Sequence, residues 1–280
     1  MSDKIRRILE MLKEGKISSE DAEKLIKAVE RKDIKDTKGK KIIVSEILDE
    51  IPGIIENAIG RKISKSKELI ASKKDIKKIV IKALNGDMDI SKSEDDKISL
   101  KAKGVLTGIQ RGDEFIVKSF NADHMNIKTP SDVDIYTTLV SGDITFSDLK
   151  NKIFIKSVSG NIYGENITGD LTLKAVSGDT SLGKFNGDLQ IDSVSGDVDL
   201  TIVDGNNINI IGVSSDVMVK IPKGIGILIE AKSKKGEVDS EIELESTEIN
   251  EDNHIKGIRG DKHLNLTIEV KSGDIEILEY

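Results

Sequence analysis

The chain has 280 residues, with 43 Lys and Arg against 50 Asp and Glu, and a formal net charge of −7. The absence of cysteine excludes a disulfide framework, a thiolate metal site, an iron–sulfur centre and cysteine catalysis. Aromatic residues make up 3% of the chain, which weighs against broad stacking surfaces for bases or sugar rings. The 37% hydrophobic content is enough to form a core and excludes a wholly disordered chain.

No targeting or membrane-spanning segment is visible in the sequence. The N-terminal residues 1–7 are charged and lack the apolar region of a signal peptide. No window approaches the roughly 18 uncharged apolar residues of a membrane helix. The sequence therefore predicts a cytoplasmic protein, with a peripheral position on a membrane left open.

The charge is divided between two regions of the chain. Through Lys82 there are 22 basic and 15 acidic residues, and the remainder has 21 and 35. A basic front joined to an acidic body indicates either regions with different roles or two ordinary solvated surfaces. We expect three parts: residues 1–32, a basic linker over 33–78, and a repeat domain over 79–280.

Residues 1–32 are predicted to form a small α-helical hairpin. Apolar residues recur at helical spacing, Gly15 suits a helix stop, and Ser18 begins a capping box for the second helix. Two short helices bury little core alone, so we expect them to bind a protein partner, a second copy or the rest of the chain. The residues predicted to make that contact are Ile5, Ile8, Leu12, Leu25, Ile26 and Val29.

The 33–78 segment combines an apolar stretch with a cluster of lysines. Residues 45–59 carry isoleucines at helical spacing, interrupted at Pro52 and Gly53, where a helix would start or kink. Ile47–Lys82 could therefore lie on an anionic membrane surface; alternatively, the isoleucines cap the next domain. Nucleic-acid binding is not expected, because arginine clusters and interleaved aromatic residues are missing. The predicted anionic-surface contacts are Lys62, Lys65, Lys67, Lys73 and Lys74.

The body of the chain is built from a nine-residue repeat. In every second unit, Val140-Ser141-Gly142-Asp143 recurs as Val158-Ser159-Gly160-Asn161, Val176-Ser177-Gly178-Asp179 and Val194-Ser195-Gly196-Asp197, and a related Gly-Asp unit lies midway. Positions one, five and seven of each unit are mostly apolar, and Gly-Asp at positions three and four suits a turn. Since positions five and seven share one face of a strand, each unit is predicted to be a turn plus a short strand.

These units predict a mainly β fold, a stacked β-solenoid or β-roll in which two units form one 18-residue coil. About eleven coils at a spacing of about 4.8 Å would give a rod of roughly 50 Å. A flat meander of hairpins is the competing topology, and the strict period favours stacked rungs. A thin interior suits Val, Ile and Leu, in agreement with the scarcity of aromatic residues.

The repeats resemble the putative-adhesin β-strand-repeat family, a bacterial family of unknown function. Residues 8–30, ILEMLKEGKISSEDAEKLIKAVE, resemble the helical module that precedes this domain in its envelope-stress branch, which includes daptomycin-sensing surface proteins. The resemblance implies a β-solenoid without established catalytic residues and an association with cell-envelope stress. It also implies a surface adhesin, although such a protein needs a secretion signal.

Candidate sites in the repeats are expected to be structural. The Gly-Asp turns supply too few oxygens for the six to eight ligands of Ca²⁺, and like charges would repel along a stacked row. Two Arg-Gly-Asp tripeptides, at 111–113 and 259–261, fall where the repeat's own turn is expected. The three histidines lack metal-ligand spacing. We therefore predict no metal site, no cofactor and no small-molecule substrate.

The sequence favours a non-enzymatic scaffold or binding protein whose hairpin binds a partner or self-associates. The alternatives are a peripheral membrane protein held by Ile47–Lys82 and a surface adhesin. A carbohydrate-active β-helix enzyme is a further alternative, which would need carboxylates projecting from adjacent rungs. Asp179, Asp197 and Asp199 could supply them, but no matching base or sugar-stacking aromatic is evident from the sequence.

Overall fold

The computed structural model describes residues 67–72, 75–120 and 122–280, together with residues 5, 6, 9, 12, 22, 23 and 26. These ranges contain 23 β-strands, which form an 11-stranded and a 12-stranded sheet. The strands are β1 (Lys67–Ser72), β2 (Lys78–Asn85), β3 (Asp87–Lys92), β4 (Lys97–Ala102), β5 (Val105–Arg111), β6 (Glu114–Phe120), β7 (His124–Thr129), β8 (Asp134–Ser141), β9 (Ile144–Ser147), β10 (Ile153–Ser159), β11 (Ile162–Thr168), β12 (Leu171–Ser177), β13 (Thr180–Asn186), β14 (Leu189–Ser195), β15 (Val198–Asp204), β16 (Asn207–Ser214), β17 (Val217–Ile221), β18 (Ile227–Ser233), β19 (Val238–Ser240), β20 (Ser246–Glu251), β21 (His254–Arg259), β22 (Leu264–Ser272) and β23 (Ile275–Glu279).

The central strands form parallel coils in the register that the repeat predicts. In the 12-stranded sheet Ile153 pairs with Leu171, and Leu171 pairs with Leu189, so that each pairing joins equivalent positions of successive coils. The alternate strands β9, β11, β13 and β15 pair in parallel in the 11-stranded sheet. Each coil thus contributes one strand to each sheet. The stacked solenoid is confirmed, and the flat meander is wrong for this region.

The core lies between the two sheets, and the apolar repeat positions line it. Val140, Ile144 and Phe146, at positions one, five and seven of one unit, are each fully buried. Leu171, at position five of a later unit, has only 1% of its surface exposed. A Cβ on Gly164 would lie 2.7 Å from the Phe146 ring and 2.6 Å from the Leu182 side chain. Gly164 therefore leaves space for the Phe146 ring in this part of the core.

The two ends of the stack depart from the order of the sequence. At the first end, β6 pairs with the outer side of β2, and β7 with the outer side of β3. At the other end, β22 lies between β16 and β18. Antiparallel strands β1, β4, β5, β20 and β21 complete the edges. The coils are therefore stacked in a spatial order that the repeat pattern does not contain.

A one-residue bulge interrupts the strict repeat in the 11-stranded sheet. Asp148, Asn166 and Lys184, at the same position of successive coils, have φ values of 56°, 56° and 50°. On β15 the register shifts, so that Leu182 pairs with Leu200 but Phe185 pairs with Ile202. The left-handed residue is the extra residue of a bulge, which turns its side chain toward the outer face. The pairing register of the 11-stranded sheet therefore changes between β13 and β15.

Within the N-terminal part of the chain, the structure describes residues 5, 6, 9, 12, 22, 23 and 26, and all of them are helical. The predicted hairpin turn, the stretch 45–59 and its proline kink lie outside the described residues. Strand β1 falls inside the 33–78 segment. Among the residues searched, none forms a helix long and apolar enough to cross a membrane.

Candidate functional site

The stacked Gly-Asp corners form a hydrogen-bonded row that we call the Asx ladder. In each bond a side-chain Oδ1 accepts the backbone N–H of the corresponding residue one rung further along, at 2.7–3.0 Å. The bond thus joins neighbouring rungs. Parallel stacking is the reason, since it places an N–H of the next coil directly beside each side chain. The ladder consists of Asp87, Asp143, Asn161, Asp179, Asp197, Asp216 and Asp274.

The ladder explains how a row of like charges is tolerated at the corner. Each carboxylate receives a backbone N–H, a charge-assisted bond that offsets part of the repulsion between rungs. One side-chain oxygen of each member, a carboxylate oxygen except at Asn161, is thereby used in the fold. Among the described residues, no group of three or more His, Asp or Glu is placed to hold a metal ion. The corners therefore act as structural connections between coils.

A glycine precedes six of the seven ladder residues, and Ser215 precedes Asp216; these glycines meet the backbone of the neighbouring rung. Gly178 has φ +117°, and a Cβ on it would lie 2.2 Å from the carbonyl oxygen of Gly160. Gly160 and Gly196 make the same close approach, at 2.0 Å and 2.2 Å. Only a residue without a Cβ fits this geometry. The Gly of the repeat is thus required by the stacking of coils as well as by the turn.

The carboxylates considered for catalysis have structural partners. Asp179 accepts the N–H of Asp197, and Asp197 accepts the N–H of Asp216, each within the Asx ladder. Asp199 lies on the outer face of the 11-stranded sheet, 3.9 Å from the Lys220 Nζ. These partners do not amount to an acid–base pair directed at a common substrate.

The two Arg-Gly-Asp tripeptides occupy different environments. Gly112 has φ 61° at the turn of the antiparallel β5–β6 hairpin, so this tripeptide lies outside the parallel coils in which it was expected. Arg259 instead pairs with Glu279, and both side chains are largely buried. Its guanidinium also donates to the carbonyl of Ile225 at 2.9 and 3.1 Å. Arg259 therefore fastens the C-terminal strand to the end of the stack.

The outer face of the 12-stranded sheet carries an aromatic cluster flanked by lysines. The rings of Tyr136 and Phe154 stack with centroids 5.7 Å apart. Lys78 places its Nζ 4.2 Å from the Tyr136 centroid, and Lys156 lies 5.3 Å from the Phe154 centroid. A 2.8 Å hydrogen bond to Glu114 raises the pKa of Lys78. The lysines thus cover the rings on this face.

The outer face of the 11-stranded sheet contains a polar depression of about 300 Å³, which we call the β13 trough. Ser181 and Gly183 of β13 form its floor, and taller side chains of β11 and β15 form its walls. Tyr163 and Glu165 point outward on β11, in register with Ser181 and Gly183. Asp199 lies opposite on β15, in register with Ser181. The trough is therefore a result of small residues on one coil between larger ones on its neighbours.

The trough residues were not singled out by the repeat analysis, except for Asp199. They occupy positions six and eight of their units, which alternate with the apolar positions and therefore face outward. Aligning units that lie one full coil apart places Tyr163 beside Ser181 and Glu165 beside Gly183. The signal was thus present in the sequence once the parallel register was known.

The predicted partner-binding residues are only partly described. Ile5, Leu12 and Ile26 are helical and half-buried, whereas Leu9, on the first of the predicted helices, has 38% of its surface exposed. Ala22 of the second predicted helix is 2% exposed. Ile8, Leu25 and Val29 lie outside the described residues. An apolar side chain of this helix therefore remains accessible.

The predicted anionic-surface lysines are described at one position only. Lys67 is the first residue of β1, at the edge of the 11-stranded sheet, where it pairs with Ala102. Lys62, Lys65, Lys73 and Lys74 lie outside the described residues.

The fold is thus a β-solenoid-like stack of parallel coils, and comparison with protein families identifies it further. Residues 62–278 match the model of the Toastrack DUF4097 family, and residues 3–33 match a SHOCT-like domain. Because the first match covers most of the chain, the protein belongs to the Toastrack DUF4097 family. The resemblance to a β-strand-repeat family with a small N-terminal module is confirmed. No curated protein matches the sequence.

Several solved structures resemble the chain distantly. A putative cell adhesion protein from Clostridium sporogenes is 16% identical, with a TM-score of 0.35, and the match covers 78% of this chain and 100% of that chain. A putative adhesin from Bacteroides fragilis is 10% identical, with a TM-score of 0.35 and coverage of 78% and 98%. A putative adhesin from Parabacteroides merdae is 13% identical, with a TM-score of 0.27 and coverage of 78% and 96%.

Proposed function

We propose that this protein is a non-enzymatic scaffold of the adhesin type, in which a rigid β-stack presents binding surfaces and the N-terminal helical module binds a protein partner or a second copy. The observation that carries the proposal is the apolar face of that module. Leu9 remains 38% exposed on a helix that also carries Ile5 and Leu12. A short helix with an exposed apolar face gains stability by packing against another surface.

The stack supports the scaffold role because its polar repeat groups are used to join coils. The ladder carboxylates Asp179 and Asp197 accept backbone N–H groups, and Asp199 is near Lys220. Repeated coils with identical corner bonds form a stiff platform, in which each coil contacts only its neighbours. Such a platform suits presentation and binding, whereas catalysis needs groups converging on one reacting bond.

The test of the hairpin role compares the full-length chain with its Leu9→Asp variant. Sedimentation equilibrium should show concentration-dependent association of the wild type and loss of association in Leu9→Asp, with unchanged thermal unfolding of the stack. If the wild type is monomeric, a photo-crosslinker at position 9 in cells should label one defined protein. The matched crosslinker at Thr267, on the outer face of the stack, should not label it. Monomeric behaviour without position-specific labelling would refute the hairpin role.

We infer a link to cell-envelope stress from the same N-terminal module. A strain without the protein should survive cell-wall damage less well than its parent. Restoring the wild-type gene should rescue survival, whereas the Leu9→Asp gene should not. Equal survival of the parent and the deleted strain would contradict the link.

A second candidate function is peripheral attachment to a membrane through Ile47–Lys82. The basic balance of the chain through Lys82 favours it, and Lys67 stands at a sheet edge. The full chain should then sediment with anionic vesicles, and the binding should weaken in high salt. Replacing Lys62, Lys65 and Lys67 by Gln should reduce the bound fraction, whereas neutral vesicles should bind neither form. Fractionation of cells separates a cytoplasmic or peripheral location from a surface adhesin, which would be found outside the cell.

A further inference from the structure

The β13 trough has the shape of a small ligand site on an otherwise flat sheet. On neighbouring coils, outward side chains normally form continuous rows at a spacing of about 4.8 Å. Here Ser181 and Gly183 interrupt two rows, so that Tyr163 and Glu165 stand above them on one side. Asp199 and Thr201 form the other side. The volume of about 300 Å³ lies at the lower end of the range for small-molecule sites.

The trough has one apolar surface, the ring of Tyr163. This side chain is 42% exposed, and its hydroxyl accepts a hydrogen bond of 3.0 Å from the Asn161 side-chain amide. That bond holds the ring at the wall of the trough and leaves one face toward solvent. An exposed aromatic ring that is already held in place can stack on the C–H face of a ligand ring at little entropic cost.

The carboxylates of the trough are paired with lysines. Glu165 pairs with Lys184 at 2.9 Å, and Lys184 is brought there by the left-handed bulge. Asp199 lies 3.9 Å from Lys220. Between the walls stands the hydroxyl of Ser181, and those of Thr145 and Thr201 also line the trough. The trough thus offers both donors and acceptors. The ionised groups that line it directly are the carboxylates of Glu165 and Asp199, whose lysine partners lie outside the lining. This arrangement suits a neutral ligand rich in hydroxyl groups.

We propose that the β13 trough binds a neutral saccharide, with one sugar ring stacked on Tyr163 and its hydroxyls bonded to Glu165 and Asp199. A protein partner fits less well, because a stable protein interface buries roughly 800 Å² per side and this surface has a single apolar ring. The low aromatic content of the chain does not oppose the assignment, since one tyrosine supplies the stacking face. The site is separate from the N-terminal module and does not require it.

The test uses the full-length protein and saturation-transfer NMR with neutral tetrasaccharides of glucose, N-acetylglucosamine, mannose and galactose. At least one should bind the wild type, and tetragalacturonate should bind at least about tenfold more weakly, because its carboxylates meet those of the walls. Tyr163→Ala should weaken binding by at least about tenfold, whereas Tyr163→Phe keeps the ring and should stay within about threefold. These outcomes would support the proposal.

Two further variants separate the trough from the rest of the surface. Ser181→Gln raises the floor and should abolish binding, whereas Thr172→Gln, on the outer face of the other sheet, should leave it unchanged. Circular dichroism checks that each variant keeps the β fold. The proposal is overturned if no neutral tetrasaccharide binds, if Tyr163→Ala or Ser181→Gln binds as the wild type does, or if the anionic tetramer binds equally well. Leu9→Asp should not affect this binding, so failure here leaves the hairpin proposal standing.

Discussion

Two glycines with positive φ allow the energetic effect of the close contact between coils to be measured. Gly178, in the stack, has φ +117°, and an added Cβ would lie 2.2 Å from the Gly160 carbonyl oxygen. Gly112, in the β5–β6 hairpin, has φ +61°, and an added Cβ would meet nothing within 4 Å. Replacing each by Ala imposes backbone strain at both positions but a steric collision at only one. Because φ +117° is also less accessible to alanine than φ +61°, the difference between the variants reports the close approach of the rungs together with this extra backbone strain.

The expected magnitudes follow from these contacts. The left-handed backbone alone should cost Gly112→Ala about 1 kcal/mol. At Gly178 the neighbouring rungs must also separate by about 1 Å to relieve the overlap. This stretches the hydrogen bonds between the Gly160 and Gly178 rungs, such as Asp179 N–H to Asn161 Oδ1 and Ile162 N–H to the Asp179 carbonyl. Losing two such bonds at about 1 kcal/mol each, in addition to the strain, gives a total of about 3–4 kcal/mol.

Urea unfolding of full-length protein, followed by circular dichroism, measures both free energies of unfolding. Because repeat proteins can unfold in parts, amide hydrogen exchange at Ile162 and Asp179, whose N–H groups bond across the Gly160–Gly178 interface, should be measured as well. These amides should exchange faster in Gly178→Ala and unchanged in Gly112→Ala. Equal losses of stability in the two variants would refute the argument that backbone contact between rungs requires glycine.

The remaining predictions concern the core, the Asx ladder and one ion pair. Leu171→Asp places a carboxylate at a position that is 1% exposed, which should lower the free energy of unfolding by several kcal/mol. The control Thr172→Asp, on the outer face, should have little effect. An unchanged melting temperature for Leu171→Asp would contradict the position of Leu171 in the core. Asp179→Ala removes the acceptor of the next rung's N–H and should lower the free energy of unfolding by about 1 kcal/mol. Asp179→Asn keeps an acceptor, as the natural Asn161 does, and its free energy of unfolding should stay within about 0.5 kcal/mol of the wild-type value. Equal losses in the two variants would exclude the ladder bond as the cause. The hydrogen bond from His263 lowers the pKa of Asp204, so this carboxylate stabilises the fold above its unfolded pKa, and that contribution is lost as the pH falls through its lower folded pKa. Asp204→Asn should therefore lose less stability than the wild type between about pH 5 and pH 2, and parallel curves for the two proteins would contradict this assignment.

The central coils could be predicted from the sequence because their repeat is local and strict. Ile144 and Phe146 alternate with polar residues, and a constant coil length places the same position of each coil in register. Burial of positions five and seven follows directly from that alternation, whereas Val140 at position one is buried next to the buried Leu139 at the end of β8. The predicted rod length of about 50 Å also agrees with a 12-stranded sheet at about 4.8 Å per strand.

The candidate site was less accessible to prediction, because it depends on differences between coils. The repeat treats Tyr163 and Ser181 as equivalent variable positions, yet the trough exists because one is large and the other small. Lys184 reaches Glu165 only through the bulge, which shifts the strand register by one residue. The role of the Gly-Asp corner likewise could not be predicted from a single unit, because Asp143 accepts the N–H of Asn161, which lies one full coil further along the chain.

The sequence by itself determined the mainly β class, the coil length, the apolar seam and the separate helical module, since each of these follows from side-chain periodicity within a short window. Only the tertiary structure decided the order of coils at the two ends, where β6 and β7 stack outside β2 and β3, and β22 inserts between β16 and β18. The physical reason is that a strand edge offers the same backbone donors and acceptors to any incoming strand. Which strand pairs there is decided by the packing of the whole stack, so the local pattern cannot determine it.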